Sequence, residues 1–256
     1  MVNIFREKKS IWERFPVLTD IKTKNRFPNH VFIIPDGNGR WAKLVKHGPP
    51  TVGHRVAVRI IANLLDDIME LPINYFTVWG FACDNWKRSE KEVTELMKLF
   101  NKMIIDVLPK LEKKNSRFFH LGRKDRIPEH LLKTIELAEK QTEKNSGQVF
   151  SVAIDYGGED QELRVMQKLV RLGLPKETVI TEELRQSLLD GKNIIPPMDL
   201  IIRTSGEFRI SDVGQLSRNA EFVFVKKFFP EFTIADAVNS LVEYSKRERR
   251  FGARKK

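Results

Sequence analysis

Six short runs of β-branched and aromatic residues constrain this chain most. They are 30–35 (HVFIIP), 75–81 (YFTVWGF), 118–121 (FFHL), 149–155 (VFSVAID), 199–203 (DLIIR) and 221–225 (EFVFV). Most are nearly continuous in apolar character, as strands covered on both faces should be. Between them, segments 52–70, 90–110, 129–143, 161–172, 181–189 and 234–249 place apolar residues three and four apart, the pattern of helices with one buried face. Strands alternating with helices predict a parallel sheet wrapped by helices. The 256 residues are enough for one large core, so a single α/β domain is expected. Segment 172–197, with Gly173, Pro175, Gly191, Pro196 and Pro197, reads as a loop-rich excursion and not a domain boundary.

Several classes of protein are disfavoured. No run of 18 apolar residues exists to span a bilayer. Charges break every apolar stretch of the first residues, unlike a secretory signal. The single cysteine, Cys83, excludes an internal disulfide and fits a reducing cytoplasm. Neither cysteine pairs nor a histidine cluster suggests zinc or iron–sulfur. The net charge of +11 suits nucleic acid, an anionic membrane surface, phosphorylated small molecules or simply a solvated surface. Part of it lies at the ends, in Arg6, Lys8, Lys9 and Arg14 and in 246–256. No aromatic-rich RNA platform or nucleic-acid motif accompanies it.

In open parallel sheets, ligands bind beyond the carboxyl ends of the strands. That rule gathers scattered motifs into one candidate site. DGNGRW at 36–41 follows the first strand. Gly37 and Gly39 let backbone amides approach a phosphate, Asp36 suits a hard cation, and Arg40 can fork onto phosphate oxygens. The plain alternative is a tight turn. RTSGEFRIS at 203–211 sets Arg203 and Arg209 among Ser205, Gly206 and Ser211, suited to a second diphosphate. Its alternative is an exposed loop whose arginines pair with acids such as Glu207. In FACDNWKRSEKEV at 81–93, Ser89 and Glu92 match a helix capping box. Asn85, Trp86 and Arg88 are not needed for capping and could offer an amide, an apolar wall and a cation. Cys83 reads as a small buried residue. His54, with Gly53 before it to permit close backbone approach, is a weaker candidate phosphate contact.

Together these blocks resemble the cis-prenyltransferase family, whose familiar member is bacterial undecaprenyl diphosphate synthase. The similarity runs through DGNGRWA at 36–42, GH at 53–54, NWKR with Glu92 following, LG at 121–122, DYGG at 155–158, DLIIRTSGEFRIS at 199–211, Glu221, FFPEF at 228–232 and RERRFG at 247–252. The resemblance implies a six-stranded, mostly parallel sheet surrounded by helices, in a single domain over 29–252 with an apolar tunnel. A basic N-terminal extension (1–28) and a basic tail (253–256) would flank it. It further implies a homodimer and Mg²⁺-dependent condensation of isopentenyl diphosphate with an allylic diphosphate such as farnesyl diphosphate, giving a cis-polyprenyl diphosphate. Basic termini and an apolar product suggest peripheral contact with an anionic membrane.

By the same resemblance, Asp36 ligates Mg²⁺ and helps the allylic diphosphate leave, while Gly37, Asn38, Gly39, Arg40 and His54 bind it. Trp41, Ala82, Cys83, Asp84, Trp86 and Arg88 belong to the substrate-binding set. Arg203, Arg209 and Ser211 take the diphosphate of isopentenyl diphosphate, with Ile210 also in the substrate-binding set, Asn85 assists proton removal, and Glu221 is a second metal-related acid. The RRFG tail would complete a neighbouring subunit's site. Leu96, Leu99, Phe100, Met103, Ile104 and Val107 form a stripe fit for the tunnel, though any core helix could carry it. The sequence departs from the family at Pro35, where Met is usual, near Pro49 and Pro50, where an arginine is usual, and at Ala82, Cys83 and Glu159. Segment 212–220 lacks the usual Leu-Trp-Gln run. These departures leave open a same-fold enzyme making branched or short prenyl diphosphates, and a non-catalytic partner subunit.

Overall fold

A computed structural model describes residues 9–250. The expected strands are present as β1 (His30–Ile34), β2 (Tyr75–Ala82), β3 (Arg117–Leu121), β4 (Val149–Tyr156), β5 (Leu200–Arg203) and β6 (Glu221–Phe224). They form one sheet in the order β3-β4-β2-β1-β5-β6, and every pairing is parallel. Alternation decides which side chains meet which layer. Val31, Ile33, Phe76, Val78, Phe150 and Val152 join the larger core, together with the inner faces of helices α4 (Pro50–Ile68), α5 (Glu90–Lys113), α6 (Glu129–Gln141) and α9 (Ile234–Ser245). Phe32, Ile34, Trp79, Ala153 and Ile201 point the other way, into a smaller core closed by Ile195, Met198, Val213 and Leu216. The nearly unbroken apolar runs thus reflect burial on both faces.

Three helices were not separately expected. The N-terminal segment contains α1 (Ile11–Arg14) and α2 (Val17–Thr23), with Ile11, Leu18 and Ile21 buried in the larger core. Ser10 and Glu13 cap α1 reciprocally. From Ile11 onward this segment is therefore packed and not merely appended. Helix α3 (Asn38–Val45) begins inside DGNGRW, where a turn was one reading. The loop-rich excursion after α7 (Gly158–Arg171) holds one short helix, α8 (Glu182–Leu188).

Helix α9 ends at Ser245, short of Arg249, because the arginines beyond it turn back to acids at the amino ends of the strands. Arg247 meets Glu221 at 2.9 Å, and Arg249 meets Asp199. The Phe-Gly pair of the RRFG tail and segment 253–256 lie outside the described residues. Strand β3 is a sheet edge, and its outward N–H groups are already bound. Phe118 donates to Thr142 Oγ1 at 2.9 Å and His120 to Glu139 Oε1 at 3.0 Å. Among the described residues, no helix is long and apolar enough to cross a membrane.

Candidate active site

From β1 the chain builds the sheet one way through β2, β4 and β3, and later the other way through β5 and β6. The crevice between the carboxyl ends of β1 and β5 is therefore a topological switch point, where open α/β sheets take ligands. Ile34 pairs in register with Arg203, the last residue of β5, so Asp36 emerges beside the Arg203 guanidinium. Arg203 Nη2 donates to Asp36 Oδ2 at 3.0 Å. Arg203 is only 4% exposed, and its Nε has no partner. A buried cation of this kind needs a counter-charge, which Asp36 supplies. Thr204 fixes the Asp36 backbone, accepting from its N–H at 2.9 Å and donating to its carbonyl at 2.8 Å.

The turn into α3 brings the second cation. Gly37 adopts φ 92°, which lets Trp41 N–H close the first helical bond onto the Gly37 carbonyl at 2.8 Å. A Cβ at Gly37 would also meet the Phe228 ring at 2.5 Å and Ser205 at 2.8 Å. Arg40, one turn along, donates to Asp36 Oδ1 at 3.1 Å, Ser205 Oγ at 2.6 Å and Glu207 Oε1 at 2.6 Å. Its guanidinium lies 5.9 Å from the Phe228 ring centre. The first residues of α3, Asn38, Gly39 and Arg40, line the same cleft, where the helix N-terminus adds partial positive charge.

After β5 the backbone turns through left-handed Ser205 and Gly206, φ 71° and 68°. This brings Glu207 back toward α3. Glu207 Oε2 accepts from Arg209, and the hydrogen bonds from Arg40 and Arg209 hold the carboxyl pKa below its ordinary value. Arg203 also donates to the Arg209 carbonyl and to Ser211 Oγ at 2.8 Å. Expected diphosphate binders Arg40, Arg203, Arg209 and Ser211 thus share one hydrogen-bonded network around Asp36 and Glu207. From sequence alone Glu207 stands out only as an acid that could pair with loop arginines. Thr204 and Phe228 were missed as supports. Their signal was position: each directly follows or closely trails a strand that ends at the cleft.

A cavity of about 270 Å³ opens beside this network, lined by residues 35–40 with Pro50, His54, Arg88 and Glu92. His54 Nε2 is 3.4 Å from Glu92 Oε1, which accepts from Arg88 at 3.0 Å. Burial, with Arg88 nearby, lowers the imidazole pKa despite Glu92. Gly53 has a different use from the phosphate approach considered above. Its Cα faces the Asn38 carbonyl so closely that a Cβ would lie 2.0 Å from that oxygen. The close approach joins helix to helix, α4 to α3.

Other expected residues lie outside the cavity lining. Asn85 accepts the Ala82 N–H at 3.0 Å within the 3-10 turn Cys83–Lys87. Trp86 donates to buried Asp155 at 2.9 Å, and Arg126 pairs with the same carboxylate. Asp84 is exposed and paired with Lys87 at 2.7 Å. Trp41 is buried in its own helix packing and Ile210 is exposed. Burial, with Asp155 and Asp160 near, pushes the Cys83 thiol up to about 12, as suits an unreactive packing residue. Glu221 is not brought to the site. It opens β6, at the amino ends of the strands, and pairs with Arg247. Among the described residues, no three His, Cys, Asp or Glu side chains group closely enough to hold a metal by themselves.

Comparison with known proteins shows the family. The profile of the undecaprenyl diphosphate synthase family of prenyltransferases matches residues 34–252. An isoprenyl transferase of Thermotoga maritima is 39% identical over 230 residues, covering 89% of this chain and 97% of that protein. One from Bacillus thuringiensis is 33% identical over 253 residues, covering 97% and 96% respectively. Lavandulyl diphosphate synthase from Lavandula x intermedia, solved in complex with dimethylallyl diphosphate, superposes with a TM-score of 0.84 at 32% identity, covering 89% of this chain and 99% of that one. The sheet order, the crevice at its switch point and these similarities lead to one conclusion: the chain belongs to the undecaprenyl diphosphate synthase family and is a prenyltransferase.

Proposed function

We propose that this enzyme condenses isopentenyl diphosphate with an allylic diphosphate, in a Mg²⁺-dependent reaction, to give a cis-prenyl diphosphate. The observation that carries the reading is Asp36 held between Arg40 and Arg203 at the carboxyl ends of the strands. The allylic diphosphate takes Arg40, the α3 amides and His54, and isopentenyl diphosphate takes Arg203, Arg209 and Ser211. As the allylic C–O bond breaks, negative charge gathers on the leaving diphosphate, where Arg40 and fixed amides stabilise it. The reacting carbons need alignment more than a strong nucleophile. Asn85 is assigned to proton loss through its amide.

The donor set fits Mg²⁺. A hard cation of this kind is commonly held by one or two carboxylates plus substrate phosphates and water. Asp36, a quarter exposed beside the cleft, would be the carboxylate, and substrate oxygens would supply the rest. When bound, the ion would neutralise charge on the departing diphosphate. The prenyl chain is assigned to the seam between α4 and α5. Ile61 and Leu64 of α4 and Leu96 and Phe100 of α5, all buried in the larger core, are the apolar side chains that support this assignment. A homodimer is supported by exposed Leu163, Met166 and Val170 along one stripe of α7, and by exposed Phe208, whose ring lies tilted 5.2 Å from that of Phe224 on edge strand β6.

The test is incubation with labelled isopentenyl diphosphate, Mg²⁺ and dimethylallyl, geranyl or farnesyl diphosphate, followed by product length and double-bond geometry. Incorporation with a new cis bond is expected. No incorporation with any primer, or trans product, would overturn the reading. Likeness to the lavandulyl enzyme favours a second reading, a branched product, which dimethylallyl diphosphate supplied alone would reveal.

A further inference from the structure

We propose that Glu207 is a shared counter-ion that couples the two diphosphate subsites, so that filling one raises the affinity of the other. The inference rests on the two-substrate reading above. One carboxylate bridges arginines assigned to different substrates. Oε1 accepts from Arg40, which rises from α3, and Oε2 accepts from Arg209, in the loop after β5. Left-handed Ser205 and Gly206 turn that loop toward α3, and Ser205 Oγ holds Arg40 at 2.6 Å. Glu207 therefore occupies hydrogen-bonding positions on both cations that phosphate oxygens would take.

The consequence follows from competition. The first diphosphate to engage Arg40 must displace one carboxylate oxygen. Once bound, its like charge repels Glu207, which has already lost one of its two anchoring cations. Arg209 is then easier for the second diphosphate to take. The first ligand bears the cost of breaking the bridge and the second meets a bridge already weakened. Thermodynamic linkage makes the effect equal in both orders. A contrasting role is purely structural: Glu207 would hold the loop in place, and its loss would only weaken binding of isopentenyl diphosphate.

Titration calorimetry distinguishes the two roles. The probes are farnesyl thiolodiphosphate, whose C–S bond resists ionisation, and isopentenyl diphosphate, both with Mg²⁺. Each is titrated alone and against saturating amounts of the other, into wild type, Glu207→Gln and Glu207→Asp. In wild type each ligand should bind about fivefold tighter, or more, when the other is present. Glu207→Gln should bind each ligand alone more tightly than wild type, with the coupling reduced to near unity. Glu207→Asp, which keeps the charge, should retain part of the coupling. Weaker single-ligand binding in Glu207→Gln with coupling unchanged would overturn the proposal, as would wild-type ligands that bind independently. If wild type binds neither diphosphate, the functional reading falls as well. If wild type makes product but Glu207→Gln keeps its coupling, only the role of Glu207 falls.

Discussion

Gly53→Ala tests how the phosphate turn is supported. In the wild-type position the new Cβ would lie 2.0 Å from the Asn38 carbonyl oxygen and 2.6 Å from its carbon. Ordinary contact begins near 3.4 Å, so α3 and α4 must part by about 1.4 Å at this point. Both surfaces are backbone, so no side-chain rotation relieves the clash. Overpacking of this kind costs about 1–3 kcal/mol. For a chain of this size each kcal/mol lowers the melting temperature by about 2–4 °C. The displacement also moves His54 relative to Asn38 and Arg40, and a shift of roughly 1 Å in a catalytic arrangement can cost about 100-fold in turnover. Gly39→Ala is the comparator, because its Cβ would meet only Pro50, at an ordinary 3.5 Å. Thermal melts and steady-state kinetics on both variants supply the measurement. A Gly53→Ala protein with wild-type melting temperature and turnover would refute the argument. So would a Gly39→Ala protein destabilised as much as Gly53→Ala.

Arg203→Ala and Arg209→Ala should both raise KM for isopentenyl diphosphate, each losing about 1.5–3 kcal/mol of charge-assisted binding. Only Arg203, buried against Asp36, should also lower stability in urea, whereas the Arg209 side chain is 62% exposed. Equal urea midpoints for the two variants would contradict that separation. Burial lowers the pKa values of His30 and His120 to about 4. Between about pH 6.5 and 4 the unfolded chain binds protons that the folded chain refuses, so stability falls with acidification. The loss is up to about 3 kcal/mol per histidine over the window, and a urea midpoint unchanged from pH 7 to pH 4.5 would sink it. Truncation after Arg247 should leave a folded but poorly active protein, partly rescued by mixing with an Asp36→Asn protein. Absence of rescue despite demonstrated subunit exchange would place the tail's contribution within its own subunit. Asparagine is the cleaner change at Asp36, because alanine would leave buried Arg203 without an acceptor on that side.

The strands were legible because each is covered on both faces, and continuous apolar runs such as VFSVAID leave few other readings. The position of the site followed from the carboxyl-end rule. The start of α3 was less visible, since Asp-Gly-Asn-Gly also suits a turn. Only the left-handed Gly37, stacked against Phe228 from far along the chain, makes it a helix start. Gly53 signals close approach without naming the partner, which is the Asn38 backbone. The placement of Glu221 could have been foreseen. It opens its strand, and in a parallel sheet the first residue of a strand lies far from the carboxyl-end crevice. Glu207 was visible as an acid near arginines, but its bridge depends on two left-handed residues that sequence alone does not reveal.

The capped edge at β3 limits how copies of this chain can join. An uncapped sheet edge is a template, and a sheet with two such edges can add neighbours without end. Here Thr142 and Glu139 already occupy the outward donors of one edge. Association through strand edges is therefore favoured at β6 over β3, whose outward donors are taken within the chain. A new strand laid against β3 would have to displace Thr142 and Glu139 first, a cost that works against open-ended addition at that edge.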